Sequence, residues 1–212
     1  MMKKIIYFFK NYWYYYKIYA IIAAFVLFAA GITIYEKVTY EKPDMIIDCL
    51  SDNLFLTSDT ITAICEDIEN SGCLEDINGD EKVRVSFSTY SAGASDSTLG
   101  TDGGSAYELM EIKMAVGNSA IIVADKKVIE RYEKYNIYKD ISEIAEKLSV
   151  PGEDVLHSSN GTLIGIRVDN RGILNKLGLS GKEVFLTLRV PMDSTDDKMI
   201  EQAPAVAEYM LK

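Results

Sequence analysis

The residues best suited to chemistry form an acidic run, Asp76-Ile77-Asn78-Gly79-Asp80-Glu81-Lys82, with an oxygen-bearing side chain at every second position. A hard cation such as calcium is held in a loop by carboxylate and amide oxygens at positions 1, 3 and 5 and a backbone carbonyl at position 7. Asp76, Asn78 and Asp80, with the Lys82 carbonyl, are therefore candidate ligands of a weak calcium site. The second half of the pattern fails, because Glu81 stands where a glycine is usual and Phe87 where a bidentate carboxylate is needed. These missing ligands favour the plainer reading, an acidic turn between a helix and a strand.

Little else suggests catalysis. His157, the single histidine, neighbours Ser158 and Ser159 in what reads as a surface loop, with no nucleophile elbow near it. Gly100, Gly103 and Gly104 lack the following Gly-Lys-Ser/Thr of a phosphate-binding loop and read as sources of flexibility. Cys49, Cys65 and Cys73 form neither a Cys-x-x-Cys pair nor a Cys/His cluster, which argues against a thiolate zinc site. A Cys65–Cys73 bridge is compatible with an oxidising compartment, but buried thiols acting as small apolar groups are the favoured reading. No enzyme and, calcium aside, no cofactor is expected.

The elements around these residues fall into two unlike parts. All 32 acidic residues follow Tyr35, so a formal charge of −10 divides into +4 before that point and −14 after it. Residues 18–35 lack any charge and as a helix would extend about 27 Å, close to the hydrocarbon thickness of a bilayer. Tyrosines and Trp13 crowd residues 12–19, while Tyr35 and Tyr40 lie at the far end, as expected of membrane interfaces. Lys3, Lys4, Lys10 and Lys17 precede the span and Glu36 and Glu41 follow it, which places the N-terminus in the cytoplasm and the rest outside the cell. A cleaved signal peptide is the competing reading; the aromatic flanks and the poor cleavage site Ala29-Ala30-Gly31 favour an uncleaved single-pass anchor. The expected division is a basic, aromatic segment over 1–17, a transmembrane helix over 18–35, a linker over 36–43 and one extracytoplasmic domain over 44–212.

Within that domain apolar spacing alternates between two periods. Met45 to Leu50 and Val83 to Phe87 read as strands, with a helix between them that Ser58 or Asp59 caps and Gly72 stops. Residues 88–105 are nearly all small and polar and read as a long mobile loop before a helix that starts at Ser105. Ala120 to Ala124 is apolar throughout and reads as the central strand, covered on both faces. Helices follow over Val128 to Tyr135 and from Asp140 to Leu148, then strands over Leu163 to Val168 and Val184 to Val190. A last helix carries Met199, Ala203, Val206 and Met210 on one face, begun or kinked by Pro204. Strands alternating with helices predict an α/β domain with a largely parallel or mixed sheet. Ligands of open α/β sheets bind beyond the carboxyl ends of strands, which makes Asp52, Asn53, Tyr90 and Asp125 the candidate ligand-binding residues.

The succession MIIDCL, helix, VRVSF, a helix ending in MAVGNSA, IIVAD and VIERYEKYNIYKDISEI resembles one lobe of the type 2 extracellular solute-binding proteins. LIGIRVDNRGILNKLGL resembles the segment that returns through their hinge. The resemblance implies a lobe that takes part in capturing a small ligand. It departs from the family in having room for a single lobe and in carrying a helical anchor. The expected function is thus a membrane-anchored binding module for a small molecule or a protein partner. The alternative is an accessory subunit docked on another membrane protein, such as a transporter, through the aromatic segment Tyr132 to Tyr138. The negative domain charge argues against nucleic acid as a partner.

Overall fold

The computed structural model describes residues 2–39, 42–51, 57–90, 111–169, 171–179 and 182–212. It divides into two units, Met1–Lys42 and Pro43–Lys212. The first is one helix, α1 (Met2–Thr39), whose 38 residues extend about 57 Å. Its window Tyr16–Thr33 has a mean hydropathy of 1.8, long and apolar enough to cross a membrane, a property that a signal sequence shares. Phe25 and Leu27, within that window, are 71% and 73% exposed. The Thr33 hydroxyl donates to the Ala29 carbonyl at 3.0 Å and so hides its own polarity. The helix outruns the expected 18–35 span at both ends: it includes the aromatic segment and enters the stretch expected to be linker, since no proline interrupts it before Pro43.

The second unit is built on one six-stranded sheet. Its elements are β1 (Met45–Leu50), α2 (Ser58–Glu69), β2 (Val85–Tyr90), a helical turn α3 over 111–116, β3 (Ile121–Asp125), α4 (Lys126–Tyr132), α5 (Ser142–Lys147), β4 (Val155–His157), β5 (Leu163–Arg167), β6 (Val184–Leu188) and α6 (Asp197–Leu211). The strand order is β2-β1-β3-β6-β5-β4. β1 pairs in parallel with both β2 and β3, whereas β6 runs antiparallel to β3 and β5, and β4 antiparallel to β5. The sheet is mixed and β3 is internal.

Side chains alternate between the faces with the two-residue strand period. Met45, Ile47 and Cys49 of β1, Ile121 and Val123 of β3, and Val184, Leu186 and Leu188 of β6 meet α2, α5 and α6 on one face. Leu50, Ile122, Ala124 and Phe185 meet Met114 of α3, the Val128-Ile129-Tyr132 stripe of α4, Ile137 and Tyr138 on the other. Both faces are covered, which is why IIVAD reads as continuous apolar sequence.

Several local expectations are corrected. β2 continues through Ser88, Thr89 and Tyr90, expected to be loop, because an edge strand needs only one row of backbone partners and β1 supplies it. Thr57, not Ser58 or Asp59, caps α2, accepting the Thr60 N–H at 3.3 Å. Pro204 lies inside α6, whose start is fixed upstream by the Asp196 carboxylate accepting from the Lys198 N–H at 3.1 Å. β4, which the sequence did not announce, adds a short outer strand. Gly172, at φ +47, passes so close to the end of α6 that a Cβ would lie 2.2 Å from the Met210 carbonyl oxygen.

Candidate functional site

The carboxyl ends of β1 and β3 lie side by side where the two crossovers part, α2 packing on one sheet face and α3 on the other. Here the Ser51 hydroxyl lies 2.9 Å from each oxygen of the Asp125 carboxylate. Asp125 occupies the N-cap position of α4 yet makes no side-chain cap bond, its carboxylate being turned toward Ser51. At the end of β2 the Lys113 ammonium stands 5.4 Å from the centre of the Tyr90 ring. Tyr90 and Asp125 thus each sit at a strand end as expected, with partners from within the protein; Asp52 and Asn53 lie outside the described residues, as do 91–105.

The acidic run is a tight loop fastened to the start of β1. Buried Asp44 accepts the backbone N–H groups of Ile77, Asn78 and Arg84 at 2.8, 3.2 and 2.9 Å. Asp76 accepts from the N–H of Gly79 and Glu81 at 2.6 and 2.7 Å, and Asn78 from that of Asp80 at 2.9 Å. Asp80 accepts from the N–H of Lys82 at 3.0 Å and pairs with the Arg84 guanidinium. The oxygens proposed as calcium ligands therefore hold the loop itself together. Glu81 adopts a left-handed φ of 66°. Among the described residues no three His, Cys, Asp or Glu side chains group as a metal site.

His157 is an exposed residue at the end of β4, its Nδ1 3.2 Å from the Gly161 carbonyl oxygen. The three cysteines are free thiols, so Cys65 and Cys73 are not bridged. Burial pushes the Cys49 thiol well above its ordinary range, reinforced by the Asp125 and Asp48 charges. Tyr132 and Tyr138 are 3% and 8% exposed, which makes the aromatic segment chiefly core; only Tyr135 of its tyrosines offers a large open face.

Under α3 lies a buried ionic group. Arg189, 1% exposed, donates to the carbonyl oxygens of Met114 and Lys113 at 3.0 and 3.2 Å and so caps the end of that turn. Asp48, also 1% exposed, has neither carboxylate oxygen hydrogen-bonded, and the Ser119 hydroxyl and Arg189 Nε are likewise unpartnered. Burial pushes the Asp48 carboxyl above the usual range, while the nearby Ser119 hydroxyl and the Lys113 and Arg189 cations pull it down. Charges of opposite sign thus offset one another within a buried interior.

A cleft of about 360 Å³ opens elsewhere, in the size range of small-molecule sites. One wall is the end of α4 and the 3-10 turn Glu133–Tyr135, which Asn136 closes at a left-handed φ of 52°. This wall presents Glu130, Glu133, Lys134 and Asn136; the opposite wall, the tip of the β4–β5 hairpin, presents Ser158, Ser159, Asn160 and Thr162. Buried Tyr138 and Ile164 form the apolar floor. The tip is tied internally by Ser158 N–H to the Thr162 carbonyl at 2.8 Å and by the Thr162 N–H to Asn160 Oδ1 at 3.0 Å. It is tied to the helix by Glu133, which accepts from the Ser159 N–H at 2.5 Å and its hydroxyl at 2.6 Å. Those two bonds hold the Glu133 carboxyl below its usual range.

The cleft lies near the amino end of β3, since Tyr138 bridges to Arg189 and the Arg189 N–H bonds to the Ala120 carbonyl. It is thus at the end of the sheet opposite the carboxyl ends of β1 and β3, and of the described candidates neither Tyr90 nor Asp125 lines it. The turn-forming string Ser158-Ser159-Asn160-Gly161 was a readable sign of a hairpin tip; that the tip faces α4 was not. No protein-family profile matches the chain, and neither does any curated protein or solved structure.

Proposed function

We propose that this protein is a membrane-anchored binding module that takes a small ligand into the cleft between α4 and the β4–β5 hairpin, without catalysis. The observation that carries this reading is the cleft itself: an apolar floor with convergent polar groups on two walls that Glu133 already holds together. Such preorganisation lowers the entropy lost on binding. The apolar window of α1 supports the anchor, and the lysines before it with Glu36 after it support a cytoplasmic N-terminus and an outward domain. On this reading the domain is a reduced relative of a solute-binding lobe.

A second reading, docking onto another membrane protein, draws on Ile112 and Val116, which are 60% and 65% exposed one turn apart on α3. The test uses the full-length chain in nanodiscs of uncharged lipid. A pool of small polar molecules of mixed charge should shift the backbone NMR signals of Asn136, Tyr138 and residues 158–162. A cleft silent to cations, anions and neutral molecules alike would refute the binding reading.

A further inference from the structure

Resting on that reading, we infer that the cleft selects a small hydrophilic organic cation, a compact polyhydroxylated amine. Glu130 and Glu133, three residues apart on the α4 wall, both line it. Glu133 is held ionised and in place by Ser159, so one negative charge is already fixed before any ligand arrives. The cation on the same wall is committed elsewhere: the Lys134 ammonium stands 4.9 Å from the centre of the Tyr135 ring, and Tyr135 does not line the cleft. Asn136 offers a side-chain amide and Asn160 its amide N–H groups to hydroxyls on the ligand, while the Ser158 hydroxyl and Asn160 Oδ1 are engaged with each other within the tip. At longer range the unit Pro43–Lys212 carries 30 acidic against 16 basic residues, so its field draws cations and repels anions.

The test compares three probes of equal size and different charge, glucosamine, glucose and gluconate, at pH 6, where the amine is protonated. Each is titrated by calorimetry into the full-length chain in uncharged nanodiscs, with the cleft amides followed by NMR. Glucosamine should bind at least tenfold more tightly than gluconate, with glucose between them. Glu130→Gln, a change on the exposed face of α4, should shrink the glucosamine preference at least threefold while leaving the NMR spectrum folded. Glucose or gluconate binding in the cleft as tightly as glucosamine would overturn the inferred ligand class and leave the binding reading standing. If none of the three moves the cleft amides, this inference fails; silence across the wider pool is what would take the binding reading with it.

Discussion

Replacing Arg189 with methionine keeps much of its volume and removes its charge and all its donors. The Met114 and Lys113 carbonyls lose their bonds from Arg189, and Asp48 loses one of the two cations, Lys113 being the other, that offset its charge. Breaking one member of a buried ionic group costs about 3–5 kcal/mol, and about 4 kcal/mol is a roughly thousandfold rise in the open population. Cys49, fully buried on β1 with its thiol held protonated, reports that opening as a free thiol. In a background with Cys65 and Cys73 changed to alanine, Arg189→Met should accelerate Cys49 labelling by two to three orders of magnitude. Repeated in an Asp48→Asn background, the same change should cost about 1–2 kcal/mol less, because no carboxylate is left stranded. An acceleration below tenfold, or costs that simply add, would show that the two ions do not compensate each other.

Because burial raises the folded-state pKa of Asp48, the folded protein holds its proton to higher pH than the unfolded chain does. The cost of burying the charge is absent below the unfolded value near 4 and grows as pH climbs through the folded value, so Asp48→Asn should gain stability relative to the parent as pH rises from 4. A stability difference that is flat with pH, read by the same thiol labelling, would contradict this. Gly172→Ala must both strain a positive φ and displace the Met210 carbonyl, so it should destabilise by about 2–4 kcal/mol in the same assay. Millimolar calcium in place of chelator should stabilise by about 0.4 kcal/mol or less, the value for a dissociation constant of 1 mM or weaker, since Phe87 stands where the bidentate carboxylate of such a loop is needed. A clear upward shift in melting temperature would favour the calcium reading of the loop over the plain turn.

Where burial and periodicity coincide, the chain announces its structure. Ile121 to Ala124 is apolar because both faces of β3 are covered, and Met199, Ala203, Val206 and Met210 recur at helical spacing because one face of α6 meets the sheet. Asp48, inside the run MIIDCL, was a visible irregularity, and the buried cation Arg189 that offsets its charge lies 141 positions later. Ser88 to Tyr90 misled because an edge strand can carry polar side chains and still pair through its backbone. The cleft was hidden for a different reason: Glu130 and Ser158 become neighbours only when β4 and β5 add to the far side of β6, and an antiparallel pairing across so many residues leaves no local pattern.

The position of β6 also bears on how the domain comes to exist. Made after β3 and β5, it must enter between them, because neither pairs with the other. Until Val184 to Leu188 has left the ribosome, the early half of the sheet presents an unsatisfied flank along β3, the kind of flank that invites pairing with other chains. A protein assembled in this order has good reason to be chaperoned while it grows, and a substitution that delays the closing strand would lower yield without touching a single contact in the finished fold.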